Sequence, residues 1–248
     1  MPNLGTRSDK VKVPVFVMLK KIIPQRFHYK LSNSKNALWG GFAETYYSQF
    51  GEDIVLSKLL KQKNGFYVDV GAHHPKRYSN TYLLYKRGWT GINVDPNSHS
   101  IALFNKARPR DTNLCVGVGA QKDELTYYQF SDPAVNSFNA AEAARWMDKS
   151  WIQYLGTKQV PVRTLADILS SVESVPHINL LSVDVEGMDL EVLQSNNWEK
   201  CKPDVIAVES DSFDPETPFE NEIFKFLVST HGYKLKGLVG PSLIFAQE

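Results

Sequence analysis

Residues 66–75 read FYVDVGAHHP, and this stretch has the pattern of a buried strand followed by a tight turn. A short apolar run that carries one acid, Asp69, ends directly at Gly71. Runs of this kind are typical of strands that are buried on both faces of a parallel sheet. Gly71 permits backbone torsion angles that other residues avoid, so the chain can turn tightly beside a ligand. We therefore predict a strand over 66–70 that leads into a ligand-binding turn.

Helix and strand patterns alternate on both sides of this stretch. Further strands are predicted over 91–95, 113–118, 124–130, 178–185 and 204–208, and helices over 52–61, 79–87, 100–107 and 189–196. This alternation predicts an α/β protein with a doubly wound, mostly parallel sheet.

The C-terminal pattern adds two antiparallel strands to the sheet. Thr217-Pro218 predicts a helix start and Gly232 its end. Strands then follow over 233–239 and 242–246, joined at Gly240-Pro241 as a hairpin. The expected sheet has seven strands and a C-terminal antiparallel hairpin, which distinguishes it from the all-parallel dinucleotide-binding fold.

Composition and charge exclude several classes of protein. The 248 residues carry 28 basic and 27 acidic side chains, so the net charge of +1 gives no reason to expect nucleic acid as a partner. The longest apolar stretch near the start, residues 13–23, contains a proline and two lysines and is too short for a transmembrane segment. Cys115 and Cys201 lie far apart, which favours free thiols in a reducing compartment. We expect a cytoplasmic protein.

The domain organisation is predicted from the same patterns. Residues 1–45 carry repeated Lys and Arg and form a basic N-terminal arm, either a solvated segment or one that docks on a membrane surface or partner. Residues 46–248 form the α/β domain. Residues 131–159 are irregular and partly helical in pattern, and we expect them to form an inserted cap.

The turn after the first strand has the chemistry of a nucleoside-binding site. Asp95 ends the next strand, where a carboxylate can accept hydrogen bonds from both hydroxyls of a ribose. A dinucleotide would require G-x-G-x-x-G, because a pyrophosphate must approach backbone amides closely. Here Gly71 is followed by Ala72 and two histidines, a turn that suits a cofactor without phosphates, such as S-adenosylmethionine. Alternatively, Asp69 and Asp95 only cap turns at strand ends.

Four longer runs make the sequence similar to a known family. They are SQFGEDIVL (48–56), GFYVDVGAHHP (65–75), RYSNTYLLYKRGWTGINVDPN (77–97) and LLSVDVEGMDLEVLQ (180–194). These runs resemble the FkbM family of methyltransferases over about residues 45–247, and most closely its branch that methylates sugar hydroxyls. The resemblance implies a class I methyltransferase fold that binds S-adenosylmethionine. It differs at His73-His74-Pro75, where many family members have small residues and a glycine. The cofactor-binding residues that the resemblance and the turn together predict are Gln49, Asp53, Asp69, Gly71, Ala72, Asn80, Asp95 and Pro96, with Glu52 and Ser79 close by.

Methyl transfer to a hydroxyl requires a group that removes its proton. The candidates Asp184 and Glu186 follow the fourth strand, and His73 and His74 lie in the cofactor turn. A second mechanism is open, in which Mg²⁺ lowers the pKa of the hydroxyl. Its ligands would be Asp184 with Glu209 or Asp211, since the acids after the fourth and fifth strands share one edge of the sheet.

The predicted cap offers an aromatic surface to the methyl acceptor. Trp146, Trp151 and Tyr154 would stack on the apolar face of a sugar, or would instead pack the inserted helix onto the domain. We expect an S-adenosylmethionine-dependent O-methyltransferase that acts on a sugar or glycan. The alternatives are a non-catalytic binding module on a methyltransferase fold and an NAD-dependent oxidoreductase.

Overall fold

A seven-stranded sheet lies at the centre of the computed structural model, which describes Pro24 and residues 44–247. Its strands are β1 (Phe66–Val70), β2 (Thr90–Val94), β3 (Thr112–Leu114), β7 (Leu180–Val183), β8 (Val205–Glu209), β9 (Lys234–Val239) and β10 (Ser242–Ala246). The order across the sheet is β3-β2-β1-β7-β8-β10-β9. The five strands from β3 to β8 pair in parallel, and β10 pairs antiparallel to both β8 and β9.

Helices precede and connect these strands. They are α1 (Glu52–Leu59), α2 (Tyr82–Lys86), α3 (Ser98–Ala107), α4 (Ala140–Met147), α5 (Leu165–Ser171), α6 (Asp189–Gln194) and α7 (Glu222–Lys225). A 3₁₀ turn over Pro218–Glu220 precedes α7, and π-helical turns over Phe226–Thr230 continue it. Helix α2 is shorter than the predicted 79–87, because Ser79 and Thr81 form a hydrogen-bonded turn before it.

The central strands are buried on both faces. In β1, Val68 pairs with Ile92 on one side and Leu181 on the other, and none of these three side chains is more than 2% exposed. A large apolar cluster covers one face of the sheet and a smaller one covers the other. Burial on both faces explains why the strands read as continuous apolar runs.

The C-terminal hairpin completes the sheet as predicted. Strand β10 inserts between β8 and β9, so the last strand of the chain is internal and β9 lies at the edge. Gly240 has φ 56°, which suits the tight turn between the two strands. Five parallel strands followed by this hairpin are the class I methyltransferase arrangement.

A second, three-stranded sheet lies beside the first. It consists of β4 (Gly117–Val118), β6 (Tyr154–Arg163) and β5 (Asp123–Phe130), in the order β4-β6-β5. The prediction of one strand over 113–118 was wrong, because the chain leaves the main sheet after Leu114 and pairs with β6 from Gly117. The prediction of irregular structure up to 159 was also wrong, since the first half of β6 pairs with β5, with one register shift between Gln129 and Phe130.

The predicted basic arm over 1–45 lies almost wholly outside the described residues. The chain from Tyr46 onward forms one compact unit. Within the described part of the chain, no helix is long and apolar enough to cross a membrane. Cys115 and Cys201 are both free thiols, and Cys115 is exposed.

Candidate functional site

The ends of four parallel strands bring acidic side chains to one edge of the main sheet. Val70 pairs with Val94 on one side and with Val183 on the other, and Val183 pairs with Val208. The strands therefore end level with one another. The acids that lie at or next to these ends are Asp69, Asp95, Asp184 and Glu209.

Gly71 forms the turn after β1 at a position where no other residue fits. Its φ is 78°, and a Cβ atom there would overlap the carbonyl oxygen of Asp184. The N–H groups of Gly71 and Ala72 both donate to the carbonyl of Val94, at 3.0 and 3.2 Å. The turn thus contacts the ends of β2 and β7 at once, and this close approach explains why residue 71 is a glycine.

Asp95 holds two backbone segments around the turn. Its Oδ2 accepts from the N–H of His73 at 2.8 Å and its Oδ1 accepts from the N–H of Asn97 at 2.7 Å. Burial raises the pKa of Asp95 to about 6, although these two hydrogen bonds oppose the rise. Each carboxylate oxygen keeps a further lone pair. Asp95 therefore caps turns and is also able to accept from a ribose diol.

Asp69 points into the protein rather than into a ligand cleft. It is 5% exposed, and its Oδ2 accepts from the hydroxyl of Thr81 at 2.6 Å. Burial raises its pKa, and the hydrogen bond from Thr81 and the charge of Arg108 oppose that rise. Asp69 was predicted either to bind the cofactor or to cap a turn, and its bond from Thr81 in the turn before α2 favours the second role.

A small cavity of about 40 Å³ opens beside the turn, and we call it the turn cavity. One side consists of Gly71, His73, Asp95 and Pro96. Residues of the second sheet and the chain leading into it, of the segment that follows β5 and of the chain after β7 also line it. They include Val116, Val118, Tyr127, Phe138, Asp184 and Glu186.

The two histidines of the turn differ in their surroundings. Burial lowers the pKa of His73 to about 4, so its ring is neutral near pH 7. Its Nδ1 is buried and has no hydrogen-bond partner among the described residues, and its φ is 51°. The Nδ1 of His74 accepts from the N–H groups of Lys76 and Arg77 at 3.0 and 2.9 Å. The Nδ1 lone pair of His74 therefore caps a turn, so this nitrogen is not available to remove a proton from the acceptor.

The remaining residues predicted to lie near the cofactor support the site in different ways. Asp53 is buried and accepts from the N–H of Tyr47 and the hydroxyl of Ser48, so it fixes the segment before α1. Asn80 is half-buried and donates to the hydroxyl of Ser182 on β7 at 3.2 Å. Gln49 is exposed. Glu52 accepts from the N–H of Phe50, and Ser79 is buried in the turn before α2.

Three carboxyl groups gather at the ends of β7 and β8. One oxygen from each of Asp184, Glu186 and Glu209 lies within 4.8 Å of the others, and we call this group the acid cluster. Burial and the nearby Asp184 charge raise the pKa of Glu186 to about 9. Asp184 and Glu209 are hydrogen-bonded to each other, and burial raises the pKa of both. Like charges this close cannot all be ionised, so the cluster holds protons near pH 7 or a cation.

The acid cluster differs from the predicted metal ligands in one residue. Glu186 joins Asp184 and Glu209, whereas Asp211 is exposed and lies outside the group. Glu186 reaches the group because its backbone adopts φ 54° in the turn after β7. Asp189 holds that turn by accepting from the N–H groups of Val185 and Gly187.

A second cavity of about 250 Å³ opens on the other side of the acid cluster, and we call it the acidic cavity. Its lining includes Glu142, Arg145, Glu186, Glu209, Ser210 and Asp211. Glu186 lines both this cavity and the turn cavity. The two cavities therefore adjoin at one carboxyl group.

The aromatic residues of the predicted cap separate into packed and exposed members. Trp146 is half-buried and packs against a small core around Phe130 and Ile152. Trp151 is 68% exposed and lies edge-on to Trp146, with ring centroids 5.8 Å apart. It borders a shallow third cavity with Arg77 and Asp132. Tyr154 is 40% exposed and contacts Phe130. Packing thus accounts for Trp146, while Trp151 is free to contact a ligand.

Sequence reasoning missed two side chains near the site. Tyr127 lines the turn cavity, and no motif indicated it because its strand lies outside the main sheet. Arg108 is fully buried behind the turn, and no motif indicated it because its acceptors, Pro75, Ser79 and Thr81, are distant in sequence.

Comparison with known proteins identifies the family. The model of the methyltransferase FkbM domain matches residues 69–235, which is more than half of the chain. No curated protein sequence matches. Similar solved structures include a TehB-like SAM-dependent methyltransferase from Corynebacterium glutamicum, with 9% identity, a TM-score of 0.40, and 90% of this chain and 100% of that chain covered. Another is precorrin-6y C5,15-methyltransferase from Geobacter metallireducens, with 14% identity, a TM-score of 0.39, and 79% of this chain and 88% of that chain covered. The chain belongs to the FkbM methyltransferase domain family and is an S-adenosylmethionine-dependent methyltransferase.

Proposed function

We propose that the enzyme transfers the methyl group to a hydroxyl of a sugar or glycan. The observation that carries this proposal is the position of Glu186, which lines both the turn cavity and the acidic cavity. A methyl donor in the turn cavity and an acceptor in the acidic cavity would meet at this carboxyl group. The acid cluster there supplies the proton-accepting groups that a hydroxyl nucleophile needs.

The lining of the turn cavity suits the methyl donor, and at about 40 Å³ the cavity must widen to admit the whole molecule. Asp95 offers carboxylate oxygens to a ribose diol, and Tyr127 and Phe138 offer aromatic surface to an adenine ring. S-adenosylmethionine supplies an electrophilic methyl group on a positively charged sulfur. The Asp184 carboxylate that lines the cavity favours that positive charge. His73 and Ala72 leave no run of glycine amides for a pyrophosphate, which argues against NAD.

We assign the role of base to Asp184. Glu186 has a pKa of about 9 and is protonated near pH 7, so it would donate a hydrogen bond rather than remove a proton. The acceptor O–H bond breaks as its proton passes to Asp184, and the new O–CH₃ bond forms as the S–CH₃ bond breaks. The electron pair of that bond remains on sulfur. Burial and the Asp184 charge raise the pKa of Glu209, so Glu209 holds a proton and donates a hydrogen bond to Asp184, which keeps Asp184 the ionised member of the pair.

The acceptor side favours a polyhydroxylated molecule. Carboxyl groups in the acidic cavity can accept hydrogen bonds from several sugar hydroxyls. Trp151 presents an exposed ring beside Arg77 and Asp132, and such a ring can stack on the apolar face of a sugar. An apolar acceptor would gain little from these groups.

A second mechanism rests on the spacing within the acid cluster. Three carboxylate oxygens within 4.8 Å of one another are hard ligands of the kind that Mg²⁺ prefers. Asp184, Glu186 and Glu209 would hold the ion, and it would lower the pKa of a bound hydroxyl. Loss of the cluster's protons would accompany metal binding, because ligands must be deprotonated.

The proposal is tested by measuring release of S-adenosylhomocysteine with a panel of sugars, glycans and non-sugar alcohols. We expect turnover with at least one sugar acceptor, a methyl ether in the product by NMR, and loss of turnover in Asp184→Asn. Glu199→Gln, which changes an exposed carboxylate elsewhere, serves as the control variant. Binding of S-adenosylhomocysteine without turnover on any acceptor would support a non-catalytic binding module instead. Saturable binding of NADH would support an oxidoreductase.

Two free thiols, Cys115 and Cys201, favour the cytoplasm as the location.

A further inference from the structure

Arg108 is a fully buried cation directly behind the cofactor turn. It follows the last residue of α3 and is 0% exposed. The rings of Tyr82, Tyr85 and Phe104 surround its guanidinium group, with centroids 5.0 to 5.6 Å from Cζ. A buried charge is costly unless hydrogen bonds satisfy it. The acceptors of its hydrogen bonds therefore show which part of the chain Arg108 holds in place.

The strongest of these hydrogen bonds go to one short segment of the chain. The Nε and Nη2 atoms of Arg108 donate to the carbonyl of Pro75 at 2.8 and 2.6 Å. Nη2 also donates to the hydroxyl of Ser79 at 2.7 Å, and Nη1 donates to the hydroxyl of Thr81 at 2.8 Å. One guanidinium group thus holds both ends of residues 75–81.

Residues 75–81 are in turn connected to the site on three sides. Thr81 donates to Asp69 on β1 at 2.6 Å, and Asn80 donates to Ser182 on β7. His73, just before the segment, donates its N–H to Asp95 at the end of β2. Arg108 therefore acts on the turn cavity through other residues, and it does not line the cavity.

We propose that Arg108 is a positioning residue for the methyl donor, because it fixes residues 75–81 and thereby the turn that bears His73 and contacts Asp95. The inference rests on the assignment of the turn cavity to S-adenosylmethionine. Without the guanidinium group, residues 75–81 would sample several positions and only a fraction of molecules would bind. Apparent affinity falls in proportion to that fraction. A lysine would supply the charge but could not reach three acceptors at once.

Calorimetric titration with S-adenosylhomocysteine tests this proposal on the full chain. We expect Arg108→Lys to raise its Kd at least about tenfold, with an unchanged KM for the acceptor. Ser79→Ala and Thr81→Val each remove one acceptor of Arg108 and leave the buried charge in place, although they also remove the bond from the Tyr82 N–H to Ser79 and the bond from Thr81 to Asp69. We expect smaller increases of about threefold. These two variants keep the test meaningful if Arg108→Lys does not fold.

Two control variants separate positioning from general stability. Arg110→Ala removes a nearby exposed arginine that donates to the Tyr85 carbonyl, outside residues 75–81. Tyr233→Phe removes a buried hydrogen bond to the Pro203 carbonyl, and it should lower the unfolding midpoint while leaving the Kd unchanged. If Arg108→Lys, Ser79→Ala and Thr81→Val lower the midpoint like Tyr233→Phe and all leave the Kd unchanged, the role is structural and the proposal is wrong. If the wild-type chain fails to bind S-adenosylhomocysteine, the assignment of the turn cavity fails first.

Discussion

The Oδ2 atom of Asp95 accepts the backbone N–H of His73 at 2.8 Å, so a carboxylate at the end of β2 fixes the turn after β1. A second backbone N–H, from Asn97, binds the other carboxylate oxygen. Asp95 thus connects the ends of β1 and β2 at the proposed cofactor site. Substitutions of Asp95 should therefore change the affinity for the cofactor more than the rate of methyl transfer.

We expect Asp95→Ala to raise the Kd for S-adenosylhomocysteine at least about tenfold, because charge-assisted hydrogen bonds to a ribose contribute about 1.5–3 kcal/mol each. Asp95→Asn retains one acceptor oxygen and should show an intermediate Kd. Circular dichroism should show a folded protein in both cases. Unchanged affinity in calorimetry for both variants would contradict the role of Asp95.

The pH dependence of stability should reveal the protonated Glu186. Its pKa rises from 4.5 in the unfolded chain to about 9 in the fold, so the folded state binds the proton more tightly. The free energy of unfolding therefore falls as pH rises between these two values. Glu186→Gln mimics the protonated form, and we expect it to raise the unfolding midpoint by at least about 4 °C at pH 8. The gain should disappear near pH 4.5, and Glu199→Gln should show no such trend. A gain that grows toward low pH has the wrong sign and would exclude this protonation state.

Trp151 and Trp146 should respond differently to replacement by alanine. We expect Trp151→Ala to raise the acceptor KM several-fold at unchanged affinity for S-adenosylhomocysteine, because its exposed ring contributes little to packing. Trp146→Ala should lower the free energy of unfolding, by up to about 3–5 kcal/mol, since it packs on Phe130 and Ile152. Equal acceptor KM values for Trp151→Ala and the wild type would remove Trp151 from the acceptor site.

Removal of divalent cations separates the two mechanisms proposed for the acid cluster. If Asp184 is the base, turnover should persist in excess chelator and rise with pH as the cluster loses protons. If Mg²⁺ is required, chelation should abolish turnover, added Mg²⁺ should restore it, and Asp184→Asn should weaken that response. Asp211→Asn provides a matched control, because Asp211 lies outside the cluster and should not change the metal response. Full activity after confirmed removal of metals would end the magnesium mechanism.

The sequence was sufficient for those features that depend on local pattern. The apolar runs predicted the main strands, and the Gly240-Pro241 turn predicted β10 with its observed bounds, Ser242–Ala246. Parallel strand ends share one edge of a sheet, so Asp95, Asp184 and Glu209 could be assigned to one region.

Other features depend on contacts that are distant in sequence. Arg108 is buried because Pro75, Ser79 and Thr81 supply its acceptors, and no local pattern records them. Glu186 joins the acid cluster because its backbone adopts a positive φ, which the sequence pattern does not reveal. Spacing along the chain had instead suggested Asp211 as a metal ligand. The first half of β6 was not predicted, because exposed positions dominate it and leave little alternation of apolar residues.

The departure of the chain from the main sheet after Leu114 has a consequence for substrate binding. Val116 and Tyr127, which line the turn cavity, belong to the same small sheet and linked loops that lead to Trp151. A displacement of this sheet that widens the path for the methyl donor would also move the aromatic surface proposed for the acceptor. Binding of one substrate would then change the affinity for the other.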